Sequence, residues 1–145
     1  TLSHFKGRIL NIHPALLPKH GGKGMYGIHV HESVIAAREI ESGVTIHLVT
    51  EEYDRGPIIA QVRVPVEPDD TAEILAARVL KEEHKLYSST LQRIATGEIN
   101  LENYKKLSHL VARAHEKLCY IARSFRRRDD DDMLYLEMQC MALDD

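Results

Sequence analysis

The first residues able to do chemistry in this chain are Asn11 and His13, in the stretch Asn11-Ile12-His13-Pro14-Ala15-Leu16-Leu17-Pro18. Arg8 to His13 reads as a short buried strand that Pro14 stops. Side chains two apart on a strand point to the same face, so Asn11 and His13 share one. A polar pair on one face of an otherwise apolar strand is costly unless it is satisfied or used. Pro14 puts the pair at the strand's carboxyl end, and in open α/β sheets ligands bind in the crevice outside those ends. On these residues alone, a buried Asn and His tied to loop backbone fits better. A third candidate, Asp54, lies in a tight turn before Gly56-Pro57. An Asp in a turn ordinarily bonds the backbone two residues on.

The elements that must position these residues follow from pattern. Four glycines, Gly21, Gly22, Gly24 and Gly27, mark a loop after Pro18 that can approach a ligand closely. A helix is expected from about His29 to Glu41, with Val30, Val34, Ile35 and Ala37 as its apolar face and Ser42-Gly43 as its end. Val44 to Val49 alternates as a strand, Thr50 to Pro57 turns, and Ile58 to Val66 is a second strand. The short connection predicts an antiparallel hairpin. Asp70 offers an N-cap with Glu73 completing a capping box, for a helix running to Leu91 with a stripe of Leu75, Val79 and Leu86. Glu82 and Glu83 fall on or beside that stripe, and Gly97 marks a turn. A second clean stripe runs from Leu107 to Phe125 and is followed by a solvated charge block from Arg126 to Asp132.

Two motifs in order carry a family resemblance. Asn-x-His-Pro-x-Leu-Leu-Pro, then a helix, then Gly43-Val44-Thr45-x-His47-x-Val49-Thr50-x-x-x-Asp54-x-Gly56-Pro57-Ile58, resembles the folate-dependent formyltransferase family from Leu2 to Leu101. The resemblance implies an α/β fold with the family's Rossmann-like open sheet, here its carboxyl-terminal half with mixed parallel and antiparallel strands, plus a helical tail. It divides the chain into a catalytic part over 1–100 and a tail over 101–145. It implies that Asn11, His13 and Asp54 form the catalytic centre, with 10-formyltetrahydrofolate as cosubstrate and no metal. An amine attacks the formyl carbon and the carbonyl oxygen gains negative charge. Asn11 can donate a hydrogen bond to that oxygen, and His13 does so more strongly if protonated. A carboxylate beside His13 favours the imidazolium, and Asp54 can also take the amine's proton and pass it to the departing folate nitrogen.

The same resemblance gives lesser roles to further residues. Val49, Thr50 and Glu51 correspond to the folate-binding loop, although an ordinary strand end fits them as well. His47 corresponds to a supporting histidine on the strand leading to Asp54, and His29 to a residue near the site. Glu83 corresponds to the carboxylate that holds the ribose hydroxyls of a nucleotide substrate, beside the reading of a solvated helix face. Lys19 reads as solvated, with a glutamate tail or phosphate as its other option.

Among the family's branches, the one that formylates glycinamide ribonucleotide in purine synthesis fits best. The tRNA branch carries an Arg-Trp-Arg-Gly-type loop after Leu-Leu-Pro, whereas this chain has Lys19-His20-Gly21-Gly22 and no tryptophan. The hydrolase branch, of the same fold, has His-Ser-Phe-Leu-Pro where this chain has His13-Pro14-Ala15-Leu16-Leu17-Pro18. It stays open as the second reading. The family's amino-terminal segment with its phosphate loop is not among these 145 residues. The chain, opening on Thr1, is therefore expected to be a piece of a longer enzyme with little transferase activity alone. A folate-binding fragment that associates through its tail helix is the third reading.

Composition narrows the partners. One domain's length, 43% hydrophobic and 28% charged residues describe an ordinary globular protein. A net charge of -3 gives no basic footprint for nucleic acid. Cys119 and Cys140 fit neither a disulfide framework nor a metal cluster, which favours a reducing compartment. No apolar run suits a membrane span and no signal peptide pattern opens the chain. The expected setting is the cytoplasm, with small-molecule substrates and a homo-oligomer through the 107–125 helix.

Overall fold

A three-stranded sheet in the order β1-β2-β3 organises the molecule in the computed structural model, which describes residues 4–106. The elements run β1 Leu10–His13, α1 Ile28–Ala36, β2 Glu41–Leu48, β3 Ile58–Pro65 and α2 Ala72–Ala95. Both pairings are antiparallel, and β2–β3 is the expected hairpin. Residues 101–106 are helical, and the described residues up to Lys105 belong to one compact unit. The stripe expected at 107–125 and the charge block after it lie outside the described residues.

The two faces of the sheet differ in chemistry. Ile12 faces Ile46 and Leu10 faces Leu48 across β1–β2, and Val44 faces Val62 across β2–β3. Residues paired across a ladder share a face, so this side is apolar. The α2 stripe of Leu75 and Val79 packs on it with Val34 of α1, and Ile99 joins Ile46, Leu48 and Ile59 further along. Each such side chain, fully withdrawn from water, contributes about 1.5–3 kcal/mol. The opposite face carries Asn11, His13, Thr45 and His47, all on β1 and β2. Leu17 and Ala15 of the following loop fold back over it and are buried. The Leu17–Pro18 peptide is cis.

Several element ends differ from the sequence expectation. The first helix stops at Ala36, five residues short of Glu41, and Ser42 and Gly43 lie inside β2. Arg38, at φ +52, terminates it. The amide of Glu39 donates to the carbonyl of Val34 and that of Arg38 to Ile35, a Schellman arrangement with arginine in the left-handed position. Glycine usually marks such an end, so the sequence pointed to Gly43 instead. Gly43 is needed for close packing: a Cβ there would lie 2.2 Å from the Val62 carbonyl oxygen and 2.4 Å from Leu16.

The second helix is capped by Thr71 rather than Asp70. The Thr71 hydroxyl accepts from the amide of Ile74, so Glu73 is not at the capping-box position. The Asp70 carboxylate is occupied by Arg78, at 2.7 Å, and by the amide of Glu67. The helix continues four residues past Leu91 to Ala95, and Gly97 at φ +78 follows.

Candidate active site

The register of β1 against β2 builds the site. Asn11 faces His47 and His13 faces Thr45, so all four project from one face. Thr45 is fully buried there. Its hydroxyl donates to the Ala15 carbonyl at 2.6 Å and accepts from the Leu17 amide at 3.1 Å and from Gln61 Nε2 at 2.8 Å. Gln61 also donates to the Leu17 carbonyl. Two polar side chains thus pin the Leu-Leu-Pro segment onto the sheet.

Asp54 reaches this face from the turn after β2. It sits at φ +55, a left-handed conformation that costs a non-glycine residue roughly 1–2 kcal/mol. Its Oδ2 accepts the amide of Gly22, 32 residues earlier, at 3.0 Å, so the carboxylate ties the glycine-rich loop to this turn. Gly21 packs closely at the junction: a Cβ there would come within 2.5 Å of the Leu17 side chain and 3.2 Å of the Asp54 Cβ.

Asn11, His13, His47 and Asp54 come together. His47 Nδ1–H donates to the Leu48 carbonyl at 3.0 Å. Its Nε2 lies 3.2 Å from Asn11 Nδ2. A carboxamide nitrogen carries two hydrogens, and His47 takes one of them. His13 Nε2–H donates to the His20 carbonyl at 2.7 Å. Its Nδ1 lies 3.6 Å from Asp54 Oδ2, while His47 Nε2 lies 3.4 Å from Asp54 Oδ1. Two ring nitrogens therefore face one carboxylate that is 13% exposed. The arrangement has a seat for one proton between Asp54 and a ring.

The surroundings of His13 act on its charge in opposite directions. Asp54 does favour the imidazolium, as does the bond to the His20 carbonyl. Burial works against both and is the larger effect, with further opposition from His47 and His20, so His13 is held below its ordinary pKa. With Nε2–H already engaged, His13 faces Asp54 as a neutral ring.

The remaining expectations divide. His29 is exposed, bonded to Glu32 at 2.9 Å and stacked edge-on against Tyr26. The inward face of α1 is Val30, His31 and Val34, and His31 is the histidine that turns in. The sequence reading passed over His31; its place in the Val30/Val34 stripe was the signal. Its Nδ1 has no partner among the described residues, and burial, then the nearby His13, holds its pKa down. Lys19 pairs with both oxygens of Glu39, at 3.0 and 3.2 Å. The amide of Val49 donates to the Ile9 carbonyl, and Thr50 and Glu51 are exposed. Glu83 lines a cavity of roughly 220 Å³ with Ile12, His84, Tyr87 and Ser88. Ile12 lies between Asn11 and His13 on β1. Burial raises the Glu83 pKa. Thr45 and Gln61 were also missed, although Thr45 shares the His47 alternation.

Among the described residues no group of three or more His, Cys, Asp or Glu could hold a metal ion, and no helix is long and apolar enough to cross a membrane.

An Asn, a His and an Asp thus gather at the carboxyl end of β1, in an open α/β sheet. Residues 1–91 match the formyl transferase family model, and the chain belongs to that family. It is 57% identical over 95 residues to the chloroplastic phosphoribosylglycinamide formyltransferase of Arabidopsis thaliana, covering 66% of this chain and 32% of that one. It is 39% identical over 100 residues to phosphoribosylglycinamide formyltransferase of Escherichia coli K12, covering 69% and 45%. The crystal structure of phosphoribosylglycinamide formyltransferase from Anaplasma phagocytophilum superposes with a TM-score of 0.62 at 39% identity, over 68% of this chain and 45% of that one. An N-formyltransferase from Helicobacter canadensis, in complex with folinic acid and dTDP-3-aminofucose, superposes with a TM-score of 0.59 at 32% identity, over 67% and 35%. The chain thus spans less than half the length of these relatives, 32% of the Arabidopsis enzyme and 45% of the Escherichia coli one.

Proposed function

We propose that this chain carries the catalytic centre for transfer of the formyl group of 10-formyltetrahydrofolate to the amine of glycinamide ribonucleotide, with residues 1–100 as the catalytic part. The observation that carries the reading is the convergence of Asn11, His13 and Asp54. The names of the relatives support the acceptor, and the folinic acid held by a neighbour supports the donor.

The chemistry follows from the residues. The second N–H of Asn11 donates to the formyl oxygen as that oxygen gains charge, while His47 holds the carboxamide in place. Asp54 accepts the proton that the attacking nitrogen sheds, directly or through a water. His13 Nδ1, 3.6 Å from Asp54 Oδ2, shares that proton and stabilises the carboxylate–imidazole pair while it is held. The proton then passes to the folate nitrogen that leaves, so the site ends as it began. Val49, Thr50 and Glu51 present backbone to the pteridine, and the Glu83 carboxylate accepts from ribose hydroxyls. A cytoplasmic setting and small-molecule partners belong to the same reading.

The test is acceptor dependence. The chain is mixed with the formyl-folate, and deformylation is followed optically with and without glycinamide ribonucleotide. The expected result is slow deformylation that requires the nucleotide and disappears in Asp54→Asn. Formate release at the same rate without nucleotide would establish a hydrolase. Folate binding with no turnover in either arm would leave a binding module and overturn the reading.

A further inference from the structure

Gln61 belongs to the edge strand β3 and is exposed, yet its amide is engaged by the loop beside the site. It stands opposite Thr45, which stands opposite His13, so the three form one row across the polar face of the sheet. Gln61 Nε2 carries two hydrogens. One goes to the Thr45 hydroxyl at 2.8 Å and the other to the Leu17 carbonyl at 3.2 Å. The same Thr45 hydroxyl holds the Leu17 amide at 3.1 Å, so both backbone polar groups of Leu17 are tied to the row. Leu17 in turn meets the glycine-rich loop. Its buried side chain packs so closely on Gly21 that a Cβ there would lie 2.5 Å from it. The next amide, that of Gly22, donates to Asp54 Oδ2 at 3.0 Å. A line of contacts thus runs from Gln61 through Leu17 and Gly21 to the Asp54 carboxylate.

We propose that Gln61 is a positioning residue for Asp54: by holding the Leu17 carbonyl from β3, it fixes the place at which the Gly22 amide meets the carboxylate. The Gly22 N–H occupies one lone-pair direction of Oδ2 and so sets the rotation of the carboxylate in its turn. A carboxylate that must meet a proton at hydrogen-bond distance loses rate when its angle drifts. The inference rests on the reading of Asp54 as the proton acceptor. It adds that the edge strand, through Gln61, takes part in aiming that acceptor.

The experiment pairs turnover with NMR of the whole 145-residue chain, nitrogen-labelled at glycine. In the parent chain the Gly22 amide proton, bonded to a carboxylate, is expected downfield of the other loop glycines. Gln61→Met keeps the length of the side chain and removes both donors. It is expected to move the Gly22 proton upfield, to speed its exchange with solvent, and to lower kcat about tenfold while KM for each substrate stays near the parent value. Gln61→Glu, of the same shape but acceptor-only when ionised, is expected to do the same, and it decides the matter where the methionine variant does not fold. Gln61→Lys returns a donor to the exposed position and is expected to recover part of the shift and part of kcat. The Gly97 amide, bonded to the Ile94 carbonyl at the end of α2, reports that each variant is folded. An unmoved Gly22 signal in a folded donor-less variant would overturn the proposal, as would a loss that appears in KM with kcat unchanged. A Gly22 signal that moves in a chain with no acceptor-dependent turnover would preserve the link to Asp54 and overturn only the assigned reaction.

Discussion

His13 and Asp54 face each other with 3.6 Å between Nδ1 and Oδ2, and the other nitrogen of His13 is already committed to the His20 carbonyl. This relationship gives the two residues unequal parts. His13 is a neutral ring with one usable nitrogen. Asp54 is the group that can receive a proton and hand it on. In the proposed reaction Asn11, steadied by His47, is the hydrogen-bond donor to the oxygen that gains charge.

Asp54→Asn should therefore separate structure from chemistry. The carboxamide oxygen can still accept the Gly22 amide that Asp54 Oδ2 accepts at 3.0 Å, so the loop stays in place. Proton acceptance is lost. Acceptor-dependent turnover should fall by about two to four orders of magnitude, the usual worth of a positioned general base. Urea unfolding measured beside it should move little. A variant with turnover within a few-fold of the parent would remove Asp54 from the proton path.

Asn11→Ala removes the donor that His47 supports. Loss of one oxyanion donor costs about two to three orders of magnitude in rate. His47→Phe, which leaves Asn11 unsupported, should cost less than Asn11→Ala and nothing further when combined with it. Independent, additive losses in the double variant would show that His47 does not act through Asn11.

Thr45→Val probes the attachment of the Leu-Leu-Pro segment. The change keeps shape but strips the hydroxyl that meets Ala15, Leu17 and Gln61. It leaves the buried Leu17 amide without its partner, which costs about 1–3 kcal/mol. The midpoint of urea unfolding reads the loss directly. An unchanged midpoint would mean that the segment is held by apolar packing of Leu17 and Ala15 alone.

Acid should weaken the fold through two histidines. Burial lowers the pKa of both His13 and His31. At neutral pH and above both are neutral, folded or unfolded, and contribute no pH dependence. As pH falls through about 6.5 the unfolded chain takes up their protons first, so stability declines until the folded pKa values are passed. Unfolding free energies at pH 7.5, 6.5 and 5.5 should decrease in that order. His31→Leu, which removes a buried Nδ1 with no partner among the described residues, should flatten the slope. The same slope in parent and variant would place the acid sensitivity elsewhere.

Much of this was legible in the sequence because it is local. Pro14 fixed the end of β1, the alternation of Val44, Ile46 and Leu48 fixed β2, and the short turn fixed the hairpin. Asn11, His13, His47 and Asp54 could be named from spacing and family resemblance, and the structure brings them together. What the sequence hid depends on contacts between distant segments. Arg38 ends α1 in a conformation normally taken by glycine, so residue type misplaced the boundary. Asp70 looks like a cap, but Arg78, two helical turns on, claims its carboxylate. His29 and His31 differ by only two positions, and which one turns inward is set by the register of the Val30/Val34 stripe against the sheet. The neutral state of His13 is a balance of burial against Asp54, which no residue count could weigh.

The most direct test follows the carbon that moves. The donor folate is labelled in its formyl group and given to the chain with glycinamide ribonucleotide, and the products are separated. The label should appear in the formamide of the nucleotide, only when the nucleotide is present, and not in the Asp54→Asn variant. Label recovered as formate, at a rate indifferent to the nucleotide, would contradict formyl transfer at the Asn11, His13 and Asp54 centre.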